Sequence, residues 1–108
     1  MNELHISEEA QNDLLEIKNY ISEELMNPDA ALATISKITK SLRILQSYAK
    51  AGPLLSSLVD IESDYRFIAC GNYISFYRII GQDVYVDRIL YARRDYMKIL
   101  FNDIMPKG

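Results

Sequence analysis

Between Tyr65 and Phe101 the chain reads YRFIACGNYISFYRIIGQDVYVDRILYARRDYMKILF, three runs rich in β-branched and aromatic residues separated by two short glycine-containing breaks. Such runs build strands, and Gly71-Asn72 suits the positive φ that a two-residue hairpin turn requires. The spacing predicts strands over 65–70, 73–80 and 84–91, an antiparallel meander with Gly81-Gln82-Asp83 as its second turn. A sheet with an apolar face needs a second layer to cover it. The residues upstream must supply that layer.

The length of the second turn decides which charges meet. A three-residue loop places Arg66 beside Tyr77 and near Asp87, on one face with Tyr73, Tyr85 and Tyr91. A two-residue loop puts Arg88 in that row instead, because a slip of one residue turns every side chain over. The first is preferred, since it brings an Arg to a carboxylate rather than to another Arg.

Upstream, the alternation over Glu3 to Ile6 predicts a short strand joining the sheet at an edge. Ser7 is a good N-cap, and Glu8 and Glu9 suit the positive end of the following helix. That helix should run to about Met26, with Ala10, Leu14, Ile17, Ile21 and Leu25 on one face. Asn27-Pro28-Asp29 restarts the pattern, with Asn27 as cap and Pro28 at the first helical position. The second helix carries Ala31, Ile35, Ile38, Leu42, Leu45 and Ala49, and Ala51-Gly52-Pro53 ends it. This stripe spans only about three heptads, so it favours an antiparallel hairpin packed on the sheet over a dimerising coiled coil. Leu54 to Asp64 reads as an ordered loop in which Leu54, Leu55, Leu58, Val59 and Ile61 cover an edge of the core. Asp95 caps a short last helix bearing Tyr96, Ile99, Leu100 and Ile104, and Met105 to Gly108 should fray. The expected class is α+β: an N-terminal strand and a two-helix antiparallel hairpin on an antiparallel sheet of about four strands, with a short C-terminal helix.

The 108 residues fit a single domain, 1–108, with one core of two layers. Nothing in the sequence approaches the roughly eighteen consecutive apolar residues of a membrane span, so no membrane association is expected. The acidic start MNELHISEEA lacks the features of a secretory signal, and the lone Cys70 suits a reducing compartment, so a cytoplasmic location is expected. The net charge of −3 hides an asymmetry. Residues 1–64 hold five Lys/Arg against eleven Asp/Glu, and residues 65–108 hold seven against four. An acidic protein is poorly suited to broad binding of nucleic acid, but a local basic surface can still bind an acidic partner.

Candidate chemistry is sparse. His5, the single histidine, reads as an edge-strand side chain. One His and one Cys give no metal-ligand cluster by spacing and no Cys-His or Ser-His pair. The glycines are isolated, so no phosphate loop and no cofactor is expected. What stands out is Arg66, Arg78, Arg88, Arg93 and Arg94, interleaved with six Tyr. Guanidinium forks bind planar anions and stack on rings, although strand Arg also cover apolar surface and pair with acids such as Asp83, Asp87 and Asp95. Arg93 and Arg94 are the strongest functional candidates and Arg78 the strongest structural one. RNA cleavage through a 2′-hydroxyl also needs groups to take and return a proton. Arginine stays protonated and supplies neither. Tyr91, Tyr96, Lys98 or Asp95 would have to do so.

LHISEEAQNDLLEIKNYI, the second helix beginning NPDAA, YRFIACGNYISFYRI and VDRILYARRDYMKILF together resemble the RelE/ParE superfamily of type II toxin–antitoxin toxins. The aromatic-Arg strand, the strand ending in FYR and the RIL-x-x-RRD corner resemble the ParE branch most. The resemblance implies a toxin of a plasmid-stabilisation module that binds DNA gyrase and is held in a hetero-oligomer by a cognate antitoxin. Its target-binding residues would be Arg66, Arg88, Arg93, Arg94, Tyr96 and Lys98. The alternative is a RelE-like nuclease cutting mRNA on the ribosome with Arg66, Arg94, Tyr91, Tyr96 and Lys98, and a further one is a degenerate antitoxin-binding partner. The nuclease pattern is incomplete: Ala69-Cys70 and Ile74 stand where basic residues would be expected, the catalytic Tyr position falls near Leu100, and a YoeB-like His-Tyr ending is absent. Tyr91 in turn replaces the His that commonly follows RIL in ParE-like proteins.

Overall fold

The computed structural model describes residues 2–60 and 62–101. Four strands, β1 Leu4–Ile6, β2 Arg66–Cys70, β3 Tyr73–Ile80 and β4 Asp83–Tyr91, form one sheet in the order β1-β4-β3-β2. The last three make the expected antiparallel meander, and β1 adds at the edge of β4 in parallel, Leu4 opposite Val84 and Ile6 opposite Val86. Gly71 (φ 59°) and Gly81 (φ 64°) take the left-handed conformation at the first position of each hairpin turn.

Helices α1 Glu8–Asn19 and α2 Pro28–Ile44 pack as a hairpin on one face of the sheet. The Ser7 hydroxyl accepts the Ala10 N–H at 3.0 Å, and the Asn27 side chain accepts the Ala30 N–H at 3.1 Å, so both expected caps are in place. Ala10, Ile17, Ala31, Ile38 and Leu42 interlock with Tyr77, Val84, Val86 and Ile89 from the sheet. Phe76 and Leu90 point the other way, into a smaller cluster closed by Leu55, Phe101 and α3 Tyr96–Leu100.

Three expectations are corrected. The first helix does not continue as α-helix to Met26: Tyr20–Glu24 form a π-turn in which the Leu25 N–H reaches the Tyr20 carbonyl, five residues back. The extra residue rotates the helix face, so Leu25 leaves the core stripe and is 55% exposed. The second helix ends at Ile44 rather than near Ala49, tightening as the Leu45 N–H bonds to Leu42 and the Gln46 N–H to Arg43. Ala49 still packs on the core from the following turns, where the buried Tyr77 hydroxyl donates to its carbonyl at 2.7 Å. The third correction concerns register. The second turn has two residues, with Ile80 opposite Asp83, and a β-bulge lies between Phe76 and Tyr77. Tyr77 faces Val86 and Phe76 faces Arg88, so Asp87 is the extra residue. Beyond the bulge the ladder returns to the register of a three-residue loop. Asp87 accepts from Arg78 Nε at 3.0 Å, and Arg66 instead donates to the Gly52 carbonyl at 2.8 Å.

In the expected loop, Leu55–Ser57 form a 3₁₀ turn that buries Leu55, while Leu58 is exposed. Ile61, Ile104 and the expected fraying of Met105 to Gly108 lie outside the described residues.

Candidate functional site

Where β4 ends, the chain turns sharply. The Ala92 N–H bonds back to Asn72 in the first hairpin turn, the Arg94 N–H bonds to Tyr91, and the Tyr96 N–H bonds to Arg94. The Asp95 carboxylate accepts the Lys98 N–H at 3.2 Å and starts α3. This corner presents Tyr91, Arg93, Arg94 and Lys98 on the surface, and among the described residues no carboxylate pairs with either Arg.

The other expected members are placed differently. Arg88 is gripped by Asp13 of α1, with Nε at 2.8 Å from one carboxylate oxygen and Nη2 at 2.9 Å from the other. The same carboxylate accepts the Ile89 N–H at 2.9 Å. Hydrogen bonding to Asp13 raises the Arg88 pKa further, against the opposing effect of burial. Arg66 begins β2, at the opposite end of that strand from the hairpin turn to which the corner bonds, and donates to the Gly52 carbonyl. Tyr96 is half-buried with its ring 5.2 Å from Phe76. Arg78 bonds to Asp87 and lies over the Tyr65 ring, 5.4 Å from its centre. Of these residues Tyr91 and Arg94 line one common groove, Arg93 and Lys98 are exposed beside them along the chain, and Arg66 and Arg88 hold the framework.

Beside the corner runs an open groove of about 520 Å³ between the end of α1 with its π-turn and the end of the β3–β4 ladder. Its walls include Glu16, Tyr20 and Leu25 on one side and Tyr73, Tyr91 and Arg94 on the other. The Tyr73 and Tyr91 rings meet edge to face at 5.8 Å. Burial raises the Tyr73 pKa, and the neighbouring Tyr20 and Tyr91 phenols add to the effect. Burial and the Asp87 carboxylate push Tyr65 up to about 12. Burial also raises Tyr77, against the opposing hydrogen bond to Gly52. Each shift favours the protonated phenol. What the site offers chemically is anion recognition beside apolar and aromatic contact, the mixture typical of protein interfaces.

Sequence reasoning missed the helical wall of the groove. One signal was present: Tyr20 follows Ile17 by three, one step along the same stripe. A second omission lies at the far end of β4, where Glu3, His5 and Asp83 converge.

A family model of the ParE toxin of type II toxin–antitoxin system, parDE, matches residues 4–96. No curated protein matches the chain significantly. Among solved structures, one described as the chromosomal ParDE TA system from P. aeruginosa superposes with a TM-score of 0.72 at 23% identity. That match covers 86% of this chain and 98% of the other.

Proposed function

Since the chain belongs to the ParE toxin family of type II toxin–antitoxin systems, we propose that it arrests growth by binding DNA gyrase through the corner Tyr91, Arg93, Arg94 and Lys98. A cognate antitoxin, bound in a hetero-oligomer, neutralises it by covering the same surface, as suits a plasmid-stabilisation module acting in the cytoplasm. The observation that carries this reading is a basic corner without acidic partners among the described residues, set against an aromatic groove. Protein docking needs cations and apolar contact, both present. RNA cleavage needs a proton acceptor as well, which the guanidinium groups of Arg93 and Arg94 do not supply. No described helix is long and apolar enough to cross a membrane.

Inducible expression with and without the adjacent reading frame, followed by a supercoiling assay on purified gyrase and mapping of transcript ends, tests the proposal. Growth arrest relieved by the neighbouring protein, with supercoiling inhibited and transcripts intact, is expected. Cuts within codons at normal supercoiling would replace it with the nuclease reading. Harmless expression with co-purification of the neighbour would leave a degenerate binding partner.

A further inference from the structure

The parallel pairing of β1 with β4 brings together three side chains from distant parts of the sequence. His5 stands opposite Tyr85, and the two rings stack at 4.5 Å with planes 12° apart. The stack fixes the imidazole so that Nε2 lies 3.4 Å from Glu3 Oε2 and 3.5 Å from Asp83 Oδ2. Nε2 is closed off from solvent and has no hydrogen-bond partner among the described residues. A buried polar atom without a partner is destabilising, and a cation set between the nitrogen and the two carboxylates satisfies all three groups at once.

We propose that Glu3, His5 and Asp83 bind a divalent transition-metal ion of the Zn²⁺ type. Tetrahedral zinc with bonds of about 2.0–2.1 Å holds its ligand atoms about 3.3 Å apart, and both separations from Nε2 are close to that. The three ligand atoms all lie within 4.8 Å of one another. One imidazole and two carboxylates are a donor set zinc accepts, whereas calcium and magnesium call for oxygen alone. Asp83 is already oriented, because its Oδ1 accepts the Glu3 N–H at 3.2 Å. Glu3 is largely exposed, which leaves the fourth position open to water or to a donor from another molecule. The ion would fasten the edge strand to the start of β4, at the opposite end of that strand from the Arg corner. Sequence spacing alone set His5 aside because its partner Asp83 comes from the other end of the chain.

Titration of the full chain, first stripped of metal with a chelator, tests the site with Co²⁺ as an optical stand-in for Zn²⁺. Visible bands with the intensity of four-coordinate cobalt, abolished by added Zn²⁺, and a Tm that rises with Zn²⁺ are expected. His5→Gln and Asp83→Asn should each weaken binding at least about tenfold. Asp83→Asn keeps an oxygen to accept the Glu3 N–H, and circular dichroism in chelator checks that both variants are folded. Absent cobalt bands with an unresponsive Tm, as a protonated His5 shared by the two carboxylates would give, overturn the site. So does binding of equal strength in both folded variants.

Discussion

Asp13 carries three hydrogen bonds on one nearly inaccessible carboxylate, two from Arg88 and one from the Ile89 N–H. It ties α1 to β4 immediately beyond the bulge. Removing one partner of a buried pair leaves the other desolvated and unmatched, so Asp13→Ala should destabilise the fold by about 3 kcal/mol, read as a lower urea midpoint. At the opposite side of the bulge, Tyr65 donates its hydroxyl to Asp87 at 2.8 Å. Burial first, then that hydrogen bond and the Asp87 charge, raise its pKa from 10.0 to about 12. A raised folded-state value means the native state holds the phenol proton more tightly than the unfolded chain does. The resulting stabilisation is complete below pH 10 and is lost as pH climbs through about 12. Ultraviolet titration should show one phenol ionising near the upper value and missing from Tyr65→Phe. A native protein whose tyrosines all titrate together near the ordinary value would contradict this.

At the scale of elements, the segment after α2 is held by backbone proximity rather than by helix propensity. The Tyr77 hydroxyl donates to Ala49 and accepts the Gly52 N–H at 2.9 Å, while Arg66 grips the Gly52 carbonyl. A Cβ on Gly52 would lie 2.2 Å from the Phe67 carbonyl oxygen. Because that obstacle is backbone, Gly52→Ala should cost about 1–3 kcal/mol, visible as a lowered Tm without loss of the native circular dichroism spectrum at low temperature. Elements whose ends are encoded locally were legible in the sequence: Ser7 and Asn27 mark the helix starts, and Gly71 and Gly81 the hairpin turns. The π-turn after Asn19 was not, since nothing in YISEE distinguishes a five-residue return from a four-residue one. The bulge at Asp87 was hidden for a different reason. It is held from both sides, by Asp13 on Arg88 and by Tyr65 and Arg78 on Asp87, and the Asp13 and Tyr65 contacts span 75 and 22 residues of sequence. The same distinction separates the two walls of the candidate site. Tyr91 and Arg94 were legible because they are close along the chain, whereas Tyr20 and Leu25 reach the groove only through the docking of α1.

Across the whole molecule, the acidic excess belongs to the helical half and the positive excess to the half containing the corner. An acidic partner should therefore be steered toward the corner end, with association slowing as salt rises. Arg94→Ala should abolish growth arrest while changing stability by no more than about 0.5 kcal/mol, the usual range for a surface substitution away from special features. Paired growth curves and melting curves check both halves of that statement, and an unfolded variant would make Arg94 a framework residue. The edge strand has a further consequence in time. Ser7 donates its hydroxyl to the Asp87 carbonyl, 80 residues further on. At about 5–20 residues per second, a ribosome needs about 4–16 s to add that length of chain. During that interval α1 and α2 can pair, but neither the completed sheet nor the groove beside Arg94 exists. The surface proposed for docking is completed last, so a protein able to recognise the nascent helical hairpin has several seconds to engage it before the basic corner has been made.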